Sequence, residues 1–124
     1  MSVSNKKNKP SILIVDDERG TREVLAKFLR ADYEVTLAED GEIGLNLLKR
    51  NHYDLVLSDI RMPGATGMKI LEATLKMTPP PPCILFTAYG SIETAVEAMK
   101  HGAFDFVTKP VNFDQLEILI QRAL

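Results

Sequence analysis

The sequence predicts an α/β domain built on a doubly wound, five-stranded parallel sheet. Three observations carry this. Strand-length aliphatic runs alternate five times with segments whose apolar residues recur at helical spacing. Several runs are continuously apolar, which suits strands covered on both faces. Four of the runs are followed by chemically loaded side chains (Asp16-Asp17, Asp59, Thr87 and Lys109), and parallel strands would bring these to one edge. Right-handed crossovers leave strand order 2-1-3-4-5 as the common five-strand solution.

The elements follow in order. Residues 1–10 are polar and Lys/Asn-rich and are expected to be a flexible terminus, with one domain over 11–124. Ser11–Val15 is the first strand. A helix over residues 21–30 carries the stripe Val24, Leu25, Phe28 and Leu29. Glu34–Ala38 is the second strand, and Gly41–Arg50 a second helix with Leu45 and Leu48 on one face. Residues 54–58 form the third strand. Pro63, Gly64 and Gly67 mark a loop, followed by a helix stripe of Ile70, Leu71, Thr74 and Leu75. Pro79 to Pro82 read as a stiff, exposed connector into a fourth strand at 83–86. Ser91 is a good N-cap for a fourth helix with Ile92, Ala95, Val96 and Met99 at i, i+3, i+4, i+7, and Gly102 closes it at C′. Residues 103–108 form the fifth strand. Asn112 caps a last helix with Leu116, Leu119, Ile120 and Ala123 inward.

Composition excludes several function classes. With 124 residues, there is room for one core. Apolar residues at 45% and charged residues at 26% indicate a soluble globular chain. A net charge of −2 and a pI near 5.7 leave no general basic field, so direct nucleic-acid binding by this domain is not expected. Cys83 is the one cysteine; it rules out an internal disulfide and fits a reducing compartment. No apolar run reaches membrane-spanning length, and the polar start lacks a signal peptide's apolar stretch, so a cytoplasmic location is expected. His52 and His101 read as helix-end residues and Cys83 as inert core. Neither GxxxxGK nor GxGxxG occurs.

In sheets of this order ligands bind beyond the carboxyl ends of the strands, where the first and third strands diverge. Asp16-Asp17 and Asp59 fall there. One pair of like charges at about 4 Å costs on the order of 4 kcal/mol at an effective dielectric near 20, so a proton or a cation must relieve the cluster. Oxygen ligands without Cys or His select a hard ion, Mg2+ above all. Asp59 is the natural nucleophile, since a carboxylate can form an aspartyl-phosphate. Lys109 supplies positive charge opposite the metal, and Thr87 a short hydroxyl donor. Taken singly, each has a plain structural reading: a turn cap for Asp-Asp, a loop cap for Asp59, a core or cap residue for Thr87, a surface charge for Lys109. Their joint placement at the ends of strands one, three, four and five favours function.

These residues resemble the receiver domain of two-component response regulators. The matching motifs are Val15-Asp16-Asp17, Ser58 through Pro63 with Gly67, Thr87-Ala88 and Lys109-Pro110, and the likeness covers residues 11–124. The stretches Thr87–Ser91, Ala95–Lys100 and Gly102–Phe106 are similar to the N-terminal receivers of nitrogen-regulator-type activators, which act on the alternative-sigma-factor polymerase through an AAA+ ATPase domain. The resemblance implies a flavodoxin-like (βα)5 fold in which Asp59 accepts phosphoryl from a sensor histidine kinase. It implies Mg2+ held by Asp17, Asp59 and the Arg61 carbonyl, with Asp16 partly through water. Thr87 and the Ala88 amide would bind phosphoryl oxygens, Lys109 would pair with them, and Phe106 would be the aromatic switch. It also implies a cis Lys109-Pro110 bond. Arg61 and Tyr89 occupy the variable positions two after Asp59 and two after Thr87; both are large enough to hinder attacking water. Phosphorylation is expected to switch the face made by the fourth helix, fifth strand and fifth helix (α4-β5-α5), through a homodimer or partner contact. Output domains are expected beyond Leu124, with transcription activation as the outcome.

Other readings stay open at this stage. A haloacid-dehalogenase-like phosphatase also uses an aspartyl nucleophile, but wants an acid where Arg61 stands. A phosphorylation-independent interaction module is opposed by the intact Asp16, Asp17, Asp59, Thr87 and Lys109. A flavodoxin-like cofactor carrier lacks its Ser/Thr-rich phosphate loop after the first strand.

Overall fold

The computed structural model describes residues 9–62, 66–88 and 92–124. The elements alternate as β1 (Ser11–Val15), α1 (Arg19–Leu29), β2 (Glu34–Ala38), α2 (Gly41–Arg50), β3 (Leu55–Asp59), α3 (Gly67–Leu75), β4 (Cys83–Thr87), α4 (Ile92–Lys100), β5 (Asp105–Thr108) and α5 (Phe113–Ala123). All strands pair in parallel in the order β2-β1-β3-β4-β5. The expected architecture and strand order are those observed.

Alternation along each strand divides the core in two. Ile12 and Ile14 join Leu55, Leu57, Ile84, Phe86 and Val107 under Leu25 and Leu29 of α1 and Leu116 and Ile120 of α5. Leu13 and Val15 face the other way, with Val56 and Leu85, against Leu48 of α2, Ile70 and Leu71 of α3 and Ala98 of α4. Burial on both faces is why β1, β3 and β4 read as unbroken aliphatic runs.

Several expected boundaries move. α1 begins at Arg19 rather than Thr21, because the chain turns back at once after Asp16, whose Oδ1 accepts from the Glu18 amide at 2.9 Å. β3 runs one residue later than expected, so Asp59 is its last residue, in register with Phe86. β4 extends to Thr87. β5 starts at Asp105, not Ala103, because Ala103 still belongs to the end of α4. Its amide donates to the Ala98 carbonyl at 3.0 Å and that of Gly102 to Met99 at 3.2 Å, a Schellman closure with Gly102 at φ 111°. Gly67 is the first residue of α3, not loop. The proline connector is only partly exposed, since Pro81 is buried. Both Thr78-Pro79 and Lys109-Pro110 are cis; the second was expected and the first was not.

The helical stripes are narrower than the spacing suggested. Leu25 and Leu29 are buried, while Val24 and Phe28 are exposed; Leu75 is exposed too. On α4 the sheet takes Ala95 and Ala98, which leaves Ile92, Val96 and Met99 outward. Asn112 caps α5 as expected, its side chain accepting from the Gln115 amide at 3.0 Å. Pro63, Gly64, Tyr89 and the Ser91 cap lie outside the described residues.

Candidate functional site

Parallel register brings the loaded strand ends to one edge. The Asp16 amide donates to the Ala38 carbonyl at 3.1 Å, that of Ile60 to Phe86 at 3.0 Å and that of Lys109 to Thr87 at 2.8 Å. Each strand therefore releases its chain at the same level, and Asp16, Asp59, Thr87 and Lys109 meet there although as many as 93 residues separate them.

Lys109 holds the cluster together. Its Nζ donates to Asp16 Oδ2 at 3.0 Å and to Asp59 Oδ2 at 2.9 Å. Asp16 is fully buried and Asp59 nearly so, whereas Asp17 is exposed beside them. One carboxylate oxygen from each of Asp16, Asp17 and Asp59 lies within 4.8 Å of the others. Burial pushes the Asp16 carboxyl above the ordinary aspartate value, against the Glu18 amide and the Lys109 ammonium, which favour its charged form; the nearby Asp59 adds to the rise. Burial alone would lower Lys109, but its hydrogen bonds to Asp59 and Asp16 outweigh it and hold the ammonium above its usual value. A set of oxygen donors this close, with two carboxylates shielded from water, fits a hard divalent cation such as Mg2+.

Arg61 and Thr87 adjoin this centre. The Arg61 amide points at Asp59 Oδ1 at 3.3 Å, while its side chain is exposed. Thr87 is fully buried at the end of β4, its hydroxyl donating to the Ala88 carbonyl at 3.2 Å. Phe106 is half-buried, in register with Leu85 and packed on the α2-α3-α4 side of the core. Tyr89 lies outside the described residues. Lys109, expected opposite a metal, stands here between two of the carboxylates that would bind one.

Three features escaped the sequence reading. Gly67 approaches the end of β3 so closely that a Cβ would overlap the Asp59 carbonyl and come within 2.7 Å of the Ile60 Cα, while its amide donates to the Ile60 carbonyl at 2.8 Å. Glu18 lies at the rim, its Oε1 3.9 Å from Lys109 Nζ. Arg22 donates from Nη1 to the Asp16 carbonyl at 2.8 Å. Glu18 directly follows Asp16-Asp17, and Arg22 is one helical turn further on; that adjacency was the available signal. His101, just past α4, lies with Nδ1 2.8 Å from the Glu97 carbonyl, in keeping with a helix-end role. Cys83 is buried, and burial pushes its thiol up to about 12. No helix among the described residues is long and apolar enough to cross a membrane.

Comparison with known proteins agrees with this geometry. The response regulator receiver domain model matches residues 12–121. The regulatory protein AtoC of Escherichia coli K12 is 46% identical over 114 residues, which are 91% of this chain and 25% of AtoC. The transcriptional regulatory protein ZraR of the same strain is 40% identical over 114 residues, 91% of this chain and 26% of ZraR. The chain thus spans about a quarter of the length of these relatives. A receiver-domain protein from Clostridium thermocellum superposes with a TM-score of 0.86 at 36% identity, covering 92% of this chain and 93% of that one. NtrX from Brucella abortus gives 0.85 at 35% identity, over 93% of this chain and 27% of its own. Together with the 2-1-3-4-5 sheet and the acidic edge, these matches place the chain in the response regulator receiver domain family.

Proposed function

We propose that the domain is a phosphorylation switch, with Asp59 accepting a phosphoryl group from the phosphohistidine of a sensor histidine kinase. One observation carries the reading: Lys109 converges on Asp16 and Asp59 with Asp17 alongside, at the sheet edge between β1 and β3, where the strand order reverses. In the transfer an Asp59 carboxylate oxygen attacks phosphorus, the P–N bond to the donor imidazole breaks, and the released nitrogen takes a proton. Asp16, Asp17, Asp59 and the Arg61 carbonyl would hold Mg2+, which supplies positive charge to oxygens that gain negative charge during transfer.

A covalent phosphoryl group adds about −1.5 to −2 charge, by analogy with phosphoserine. The Lys109 ammonium, the Thr87 hydroxyl and the Ala88 amide are the donors placed to meet it. Movement of Thr87 toward the group opens space for Phe106 to turn inward, which shifts the population of two loop arrangements. The signal leaves through α4-β5-α5, where Ile92, Val96, Met99 and Phe104 are exposed, as a homodimer or partner contact. In a longer cytoplasmic regulator, with the domain at 11–124, this contact would control transcription-activating output regions beyond Leu124.

Intact mass after incubation with acetyl phosphate and Mg2+ tests this. The reading expects a gain of one phosphoryl group, abolished by a chelator and absent from Asp59→Asn. An unchanged mass, in a protein that also fails to bind beryllofluoride, would overturn it.

A further inference from the structure

Lys109 has a third carboxylate near it. Glu18 places Oε1 3.9 Å from Nζ, outside the pair formed by Asp16 at 3.0 Å and Asp59 at 2.9 Å. Glu18 is the N-cap of α1, where a short Ser, Thr, Asp or Asn normally bonds the amides of the first turn. Its side chain makes no such bond. The helix thereby forgoes a cap and turns the carboxylate elsewhere. Thr21 Oγ1 donates to Glu18 Oε1 at 2.6 Å, and the Glu18 amide donates to Asp16 Oδ1 at 2.9 Å, so its side chain is held to the first turn of α1 and its backbone to the acidic loop. The two arginines at the start of α1 bond other acceptors: Arg19 Nε donates to Glu23 and Arg22 Nη1 to the Asp16 carbonyl.

We propose that Glu18 is a positioning residue for Lys109, receiving its ammonium when Asp16 and Asp59 turn to a divalent cation. A cation taken up by Asp16 and Asp59 would draw both carboxylates away from Lys109. Without a nearby acceptor its charge would oppose the ion at short range. With Glu18 beside it, the ammonium stays at the rim, ready for the phosphoryl group. The inference rests on the Mg2+ site proposed above. The Glu18 side chain is 69% exposed, so its effect is modest and screened by salt.

Mg2+ binding measured by calorimetry at low and high salt tests this in four proteins: wild type, Glu18→Gln, Lys109→Met and the double variant. Gln keeps an oxygen for Thr21 and loses the charge. Glu18→Gln is expected to bind Mg2+ about two- to fivefold more weakly at low salt, with the difference shrinking at high salt. In the Lys109→Met background the same substitution is expected to change nothing. An equal loss in both backgrounds would show that Glu18 acts only through its field, and no loss in the wild-type background would show that it does not act; either overturns the inference. Asp59→Asn is the control for the site itself: if it binds Mg2+ as well as wild type does, the site reading fails, and the Glu18 inference with it.

Discussion

Lys109 donates to Asp59 across 50 residues of sequence, Nζ to Oδ2 at 2.9 Å. The same ammonium reaches the buried Asp16. The lysine thus offsets part of the charge of the acidic edge from within the protein, and on the proposed reading a divalent cation competes with it for Asp16 and Asp59. Lys109→Met should therefore bind Mg2+ more tightly, by roughly tenfold for the loss of a charge-assisted contact. Calorimetry at fixed ionic strength checks this. Equal or weaker binding would mean that the lysine and the cation do not compete.

Gly67 ties α3 to the end of β3. A Cβ there would strike the Asp59 carbonyl and the Ile60 Cα, both backbone and unable to yield as a side-chain tip does. Gly67→Ala should lower stability by about 1–3 kcal/mol and shift the backbone at Asp59. Urea midpoints and the Asp59 amide resonance report the two effects. An unchanged midpoint would contradict the close approach.

Tyr33 joins the turn before β2 to α5, its hydroxyl donating to Glu117 Oε2 at 3.1 Å. Burial first, then this bond to a carboxylate, pushes the phenol from 10.0 up to about 12. The folded state therefore favours the neutral ring. The stability this contributes is fully present below the unfolded value and is lost as pH rises from about 10 to 12. Relative to Tyr33→Phe, the wild type should lose stability across that window and not below it. Urea midpoints at pH 8, 10 and 12 on both proteins measure the difference; parallel profiles would rule the coupling out.

Arg61 is exposed beside Asp59. If its bulk and that of Tyr89 hinder attacking water, Arg61→Ala and Tyr89→Ala should each shorten the life of the phosphoryl group. Dephosphorylation rates followed by intact mass test this, and unchanged rates in both would remove the steric explanation.

Much of this was legible in the sequence because the sheet is buried on both faces. SILIV, CILF and the alternating helical stripes fix the parallel order, and that order alone carries Asp16, Asp59 and Lys109 to one edge. What the sequence hid depends on contacts between distant segments. Spacing could not tell that β4 and β5 accept Ala95 and Ala98 while Ile92, Val96 and Met99 stay outside, because apolar residues on both sides of α4 share the helical period. Gly67 looked like loop because glycine punctuates chains; its role came only with the backbone of Asp59 and Ile60 against it. Glu18 drew no reading at all, because nothing local shows that Lys109 lies across from it.

On the proposed function the phosphoryl group resides on Asp59 and not on either neighbouring carboxylate. Borohydride reduces an acyl phosphate and leaves homoserine in place of the aspartate. After treatment with acetyl phosphate and Mg2+, reduction and proteolysis, peptide mass spectrometry should find homoserine at position 59, with Asp16 and Asp17 unchanged. Homoserine at position 16 or 17, with Asp59 intact, would contradict it.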